Sequence, residues 1–254
     1  MRVCVLSSGS KGNSTYVETE NHKILIDIGT SSLYVEKSLK NIGVDPKDID
    51  IILITHAHVD HVSGLTVFMK KYNPLVYVSN KIINEANLII VGNVVNVEEV
   101  NINSDITIKS FKLSHDVSDI KGYLIEENNK SVVYITDTGY INEKYFNLIK
   151  DKNIYVFESN HDVEMLMNNP NYPYHTKIRI LSDKGHLSNK DSSYYLSKLI
   201  GNSTKYIVLA HLSEQNNTEE LALETLENYL TSKNINVPKI EIAKQNVISD
   251  IFEI

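Results

Sequence analysis

Three histidines and an aspartate fall within six positions, in His56-Ala57-His58-Val59-Asp60-His61. Imidazole and carboxylate are the ligands that zinc and manganese take from a protein lacking thiolates, and they must converge on the ion from a rigid root. The root here is Ile51-Ile52-Leu53-Ile54, four consecutive apolar residues that read as a buried strand. His56 and His58, two positions apart, can point the same way from an extended segment. Asp60 and His61 are adjacent and suit a second ion close by, paired ions in hydrolytic sites lying about 3.5–4 Å apart.

A two-metal site needs more ligands, and they are expected at other strand ends. His115 follows the apolar run Ile108 to Leu113, Asp137 follows Val132 to Thr136, and His211 follows Ile207 to Ala210. Two stretches stand out later in the chain, the second of them basic. One is Glu158-Ser159-Asn160-His161-Asp162; the other, from Lys177 to Lys190, gathers Lys177, Arg179, Lys184 and Lys190 around Asp183. Phosphate oxygens are the fitting partner for such a strip, and Arg179, one of two arginines, is the better candidate for a bidentate contact. Ser188 and Asn189 are candidate phosphate binders, with Asn160 and His161 as cleft residues.

The elements that position these groups read as strands first, then helices, then strands again. Arg2 to Leu6 forms a strand, Thr15–Glu18 and Lys23–Ile28 a hairpin, and Ser32 to Ile42 a helix with Leu33, Leu39 and Ile42 as its apolar positions. Ser63 can cap a helix carrying Leu65, Phe68 and Met69, and a further helix runs from Lys81 to Ile90. Strands follow at Val94–Val97, Ile106–Leu113, Gly122–Ile125 and Val132–Ile135. Then come a helix at Lys190–Leu199 with Tyr194, Tyr195 and Leu199 facing the core, and one from Thr218 to Lys233 with Leu221, Leu223, Leu226 and Leu230 on its buried side. The loop from Ser7 to Ser14 can be a plain turn or a phosphate cradle built from backbone N–H groups.

The chain of 254 residues carries a net charge of −7, which argues against holding nucleic acid by bulk electrostatics. Bound dications and a local basic strip can still supply the field where phosphates lie. Cys4 is the sole cysteine, so no intrachain disulfide forms and thiolate metal ligation is set aside. No apolar run reaches the roughly 18 residues of a membrane span, and a cytoplasmic protein of one domain, residues 1–254, is the expectation.

The His-x-His-x-Asp-His motif after an apolar strand resembles the signature of the metallo-β-lactamase superfamily. With the opening Leu6 to Ser14 stretch and the two later ones, the chain resembles its YycJ/WalJ/VicX group over nearly its whole length. The resemblance implies an α/β fold of four layers, an αββα sandwich of two mixed β-sheets flanked by helices. It implies two divalent ions, Mn²⁺ or Zn²⁺ with Fe²⁺ also fitting: His56, His58 and His115 on one, Asp60, His61 and His211 on the other, Asp137 bridging.

It further implies Asp27 as a support behind the metal loop, Asp60 orienting the nucleophile, and His186 as general acid. Relatives that process tRNA pair this histidine with a glutamate just before the bridging aspartate. None stands at Val133 to Thr136, and Glu158 is the candidate partner instead. The activity implied is 5′→3′ exodeoxyribonuclease on duplex DNA, linked to repair and recognising a 5′ end. The rivals are a small-molecule or cyclic-nucleotide phosphodiesterase, a glyoxalase-type thioester or lactone hydrolase, and a non-catalytic metal-binding regulator.

Overall fold

The structure is a computed structural model that describes residues 1–89, 92–95 and 106–254. In chain order the strands begin with β1 Arg2–Ser7, β2 Ser14–Glu18, β3 Lys23–Ile26, β4 Ile51–Leu53, β5 Leu75–Tyr77 and β6 Val94–Val95. They continue with β7 Thr107–Lys112, β8 Lys121–Glu127, β9 Lys130–Ile135, β10 Ile154–Glu158, β11 Tyr206–Ala210, β12 Lys239–Ile242 and β13 Phe252–Glu253. The helices are α1 Ser32–Asn41, α2 Val59–Val62, α3 Leu65–Tyr72, α4 Asn80–Glu85 and α5 Phe146–Ile149. Four more complete the set: α6 Val163–Asn168, α7 Tyr174–Ile180, α8 Asn189–Leu199 and α9 Glu219–Ser232.

Two compact units emerge. The first comprises residues 1–110, 117–121 and 244–254, and the second residues 111–116 and 122–243. In the first, a mixed sheet runs β13-β1-β2-β3-β4-β5-β6. Its β1, β2 and β3 form an antiparallel meander, while β3, β4 and β5 are parallel with Ile24↔Ile51 and Ile51↔Leu75 in register. Cys4, Leu6, Tyr16, Leu25 and Ile52 from this sheet pack with Val35 and Leu39 of α1 and Phe68 and Met69 of α3. The second unit carries the order β12-β11-β10-β9-β8-β7. Here β9, β10, β11 and β12 are parallel, with Val132↔Ile154 and Ile154↔Tyr206 in register, and β8 runs antiparallel to β9. Parallel strands buried on both faces account for the nearly unbroken apolar runs Ile154 to Phe157 and Ile207 to Ala210.

Several helical expectations are corrected. Leu33 is exposed; α1 turns Val35 inward in its place, beside the expected Leu39. Ser63 does not cap α3: its hydroxyl donates to the Gly29 carbonyl at 2.7 Å, and Gly64 opens the helix. The helix foreseen at Lys81 begins at Asn80, capped by Ser79, and ends at Glu85. Ile90 and residues 96–97, foreseen as helix and strand ends, lie outside the described residues. Tyr194 is exposed while Leu196 is buried, and in α9 Ala222 takes the buried place expected of its half-buried neighbours Leu221 and Leu223. Thr218 does cap α9, accepting from Leu221 N at 3.1 Å. No helix among the described residues is long and apolar enough to cross a membrane.

Candidate metal centre

In the first unit, parallel β3 and β4 deliver their C-terminal ends side by side, the edge at which open parallel sheets place ligands. Asp27 leaves β3 in the left-handed region, φ 61°, a conformation that aspartate tolerates better than branched residues. Its carboxylate is fully buried and accepts from Thr55 N and Thr55 Oγ1, each at 2.8 Å, and from His61 Nδ1 at 2.7 Å. Burial pushes the Asp27 carboxyl up, and the facing His61 pulls it back only in part. The chemistry at His61 follows: an Nδ1–H given to a carboxylate leaves the lone pair on Nε2. Asp60 Oδ2 stands 3.7 Å from that Nε2. His56 Nε2 and His58 Nδ1 approach to 3.1 Å.

The Ser7 to Ser14 loop holds this motif from below. It closes as a turn, Gly12 N donating to Gly9 O, and Asn13 N then donates to the Asp60 carbonyl at 2.8 Å while Asn13 Nδ2 lies 3.0 Å from His61 Nε2. Gly29 is required by the same approach, because a Cβ there would fall 1.6 Å from the Asp60 carbonyl oxygen. Asn13 and Thr55 were not singled out individually from the sequence, although Asn13 lies within the Ser7 to Ser14 loop and Thr55 between the apolar run and His56.

A test of Asp27 follows from its two oxygens. In Asp27→Asn an oxygen kept at the Oδ1 position for Thr55 N puts an NH₂ where Oδ2 stood, facing Thr55 Oγ1 and His61 Nδ1, and drives the His61 proton to Nε2. Metal affinity is expected to fall about 10–100-fold, measured by metal titration; unchanged affinity would remove Asp27 from the site.

In the second unit, Asp137, Glu158 and His211 stand at the C-terminal ends of the adjacent parallel strands β9, β10 and β11. Asp137 and His211 are again left-handed, φ 58° and 57°. Such backbone costs about 1–3 kcal/mol per residue and clusters at functional sites. His211 Nε2 lies 3.3 Å from Asp137 Oδ1, and His211 Nδ1 lies 3.1 Å from Glu158 Oε1. The same Oε1 accepts from His186 Nδ1 at 2.7 Å, and Oε2 accepts from Thr138 N at 2.8 Å and Leu187 N at 3.3 Å. Burial alone would raise the Glu158 carboxyl; the charge of His186 and the bonds from His186 and His211 outweigh it and hold the group well below the usual carboxylate range. Asp137, Glu158, His186 and His211 present ligand atoms within 4.8 Å of one another. His115 donates Nδ1–H to the Gly185 carbonyl at 3.0 Å, and burial lowers its pKa.

In each unit the donors therefore fit a divalent cation. His61, His115 and His211 each have Nδ1 bound to a carboxylate or carbonyl oxygen, which leaves an Nε2 lone pair in each. Clustered histidine and aspartate of this kind make a divalent-metal site.

The expected phosphate binders fare differently. Ser188 is buried as the cap of α8, accepting from Asp191 N and donating to Asp191 Oδ2. Asn189 is buried, bonded to Ser159 and Asn217. Asn160 is buried too and donates to the His211 carbonyl at 2.8 Å. Lys177 leaves the basic strip entirely, its Nζ donating to the Met167 carbonyl at 2.6 Å. These side chains are spent inside the fold, and Arg179, Lys184 and Lys190 remain exposed.

His161 is 1% exposed, so it lines no open cleft. Burial, then the charge of His186, lower its pKa to about 4. The unfolded chain takes up this proton near pH 6.5 and the folded one only near 4, so stability falls as pH drops through that window and levels off below it. His161→Leu is expected to remove about 3 kcal/mol of that loss. Urea unfolding of both proteins at neutral and mildly acidic pH checks this, and parallel pH profiles would count against it.

Known proteins align with this geometry. Residues 8–107 match the metallo-beta-lactamase superfamily. The chain is 41% identical over 240 residues to exodeoxyribonuclease YycJ of Bacillus anthracis, covering 92% of this chain and 90% of that one. It is 39% identical over 241 residues to exodeoxyribonuclease WalJ of Streptococcus pneumoniae serotype 2, covering 92% and 89%. Among solved structures, the metallo-beta-lactamase fold protein YhfI from Bacillus subtilis superposes with a TM-score of 0.71 at 14% identity, over 98% of this chain and 99% of that one. That likeness concerns the fold alone.

Proposed function

We propose, for a chain that belongs to the metallo-β-lactamase superfamily and within it to the YycJ/WalJ exodeoxyribonuclease group, that it is a dinuclear phosphodiesterase removing nucleotides from the 5′ end of duplex DNA. Membership in the superfamily supports reading the chain as one domain that carries the ligand set its motif implies. His56, His58 and His115 would hold one ion, Asp60, His61 and His211 the other, with Asp137 shared between them. Zn²⁺ and Mn²⁺ both suit these donors, and Fe²⁺ a third. Bound, such ions supply an acidified water and charge stabilisation at phosphorus.

The observation that carries the reading is the Glu158 contact to His186 at 2.7 Å. His186 stands outside the seven ligands; a carboxylate on Nδ1 favours its imidazolium form, whose Nε2–H can protonate the departing oxygen of a phosphodiester. Asp60 orients the attacking water. Arg179, exposed on α7, meets a phosphate of the DNA backbone. A lactone or thioester hydrolase gives no use for that arginine. We place the activity in the cytoplasm, in DNA repair.

The experiment is to strip the protein of metal and incubate it with 5′-phosphorylated, 5′-end-labelled duplex DNA, adding Mn²⁺ or Zn²⁺ in turn. Mononucleotides released stepwise from the labelled end are expected. Rapid hydrolysis of a small diester with DNA left intact would favour a small-molecule phosphodiesterase. Tight metal binding with no ester turned over would make the protein a regulator.

A further inference from the structure

We propose that Asp116 is a positioning residue that presents Arg179 to a substrate phosphate and ties it to the ligating face of His115; this rests on the nuclease reading above. Asp116 lies within the second unit, next in sequence to His115. Its two oxygens face different groups. Oδ2 accepts from Arg179 Nη1 at 2.9 Å, and Oδ1 lies 3.2 Å from His115 Nε2.

The tautomer of His115 makes the second contact informative. A carbonyl oxygen can only accept, so the Gly185 bond places the proton on Nδ1 and the lone pair on Nε2. A carboxylate oxygen and an imidazole lone pair at 3.2 Å repel unless they share a positive charge, and a divalent ion held by His115 would supply it. Asp116 is then neutralised on both sides, and an arriving phosphate meets the guanidinium without facing an uncompensated carboxylate.

Arg179 needs such a holder. Its backbone is fixed: Ser182 N donates to the Arg179 carbonyl, His186 N to the Ile180 carbonyl, and a Cβ at Gly185 would fall 2.0 Å from the Ile180 oxygen. Its side chain is not, being 64% exposed. Pinning Nη1 orients the planar guanidinium and leaves its remaining N–H groups for phosphate oxygens. An exposed ion pair adds at most about 1 kcal/mol to stability, so the consequence of this one is orientation.

The test is a double-mutant cycle read by binding. Mn²⁺-loaded full-length protein is titrated with a fluorescent 5′-phosphorylated duplex carrying hydrolysis-resistant phosphorothioate linkages, over a series of salt concentrations. Arg179→Ala is expected to weaken binding about tenfold and to reduce the salt slope by about one. Asp116→Ala should weaken it about threefold to tenfold, and the double variant should bind no worse than Arg179→Ala. Asp116→Asn, which keeps an acceptor for Nη1, should recover most of the loss. Binding by Asp116→Ala as tight as wild type or tighter, or losses that add in full, would overturn the proposal. Unaltered binding by Arg179→Ala alongside normal DNA degradation by wild type overturns it too and leaves the nuclease reading standing. Failure of that reading appears instead as a wild type that degrades no DNA.

Discussion

Asp60→Asn is expected to lower DNA hydrolysis by about 10³-fold or more, on the scale at which loss of one charge-stabilising group acts, while the protein still unfolds cooperatively. The side chain is 23% exposed and its oxygen lies 3.7 Å from His61 Nε2. Asparagine matches it in shape, and the Asp60 carbonyl keeps its bond from Asn13 N at 2.8 Å. What disappears is one negative charge beside a ligating nitrogen, and with it both ion binding and the orientation of the nucleophile. Steady-state rates, metal content and a urea titration check the three parts together. Full rate with full metal content would remove Asp60 from the mechanism.

The second large effect is expected at Glu158→Gln, a loss of about 10²–10⁴-fold in kcat, the contribution of a positioned general acid. One carboxylate oxygen here accepts from two imidazoles, His186 and His211, and the other from two backbone N–H groups. A glutamine has one oxygen to offer. If it keeps Thr138 N and Leu187 N, its NH₂ faces both Nδ1 atoms and reverses both tautomers. His211 then carries its proton on Nε2 and ceases to be a ligand, while His186 becomes a neutral imidazole and a poor acid. Metal content should therefore fall along with rate, by about 10–100-fold in affinity. A variant that keeps its metal and loses only rate would restrict Glu158 to His186. One that keeps both would show that the site tolerates either tautomer.

The fold was legible where periodicity speaks. Ile51 to Leu53, Ile154 to Phe157 and Ile207 to Ala210 are strands because unbroken β-branched and apolar runs suit sheets buried on both faces. Thr218 was legible as a cap because its hydroxyl satisfies an N–H that no helix can. Ser63 was not, because a hydroxyl before a helix can instead serve a distant carbonyl, and Gly29 supplies one. The basic strip was misread in part for a related reason. Charge spacing along a helix does not tell which lysine finds an interior carbonyl, as Lys177 does at Met167.

By itself the sequence determined which groups could bind metal and that each would stand just past a strand, since ligand type and apolar runs are properties of neighbours along the chain. Tertiary structure decided what those groups are chemically. It set Glu158 between His186 and His211, Gly185 against His115, Asp27 against His61 and Asp116 under Arg179. Which imidazole nitrogen keeps its lone pair depends on the oxygen facing the other, and that oxygen comes from residues 28 to 70 positions away for all four imidazoles. No local pattern encodes such a partner, because only the folding of each unit brings it within hydrogen-bond reach.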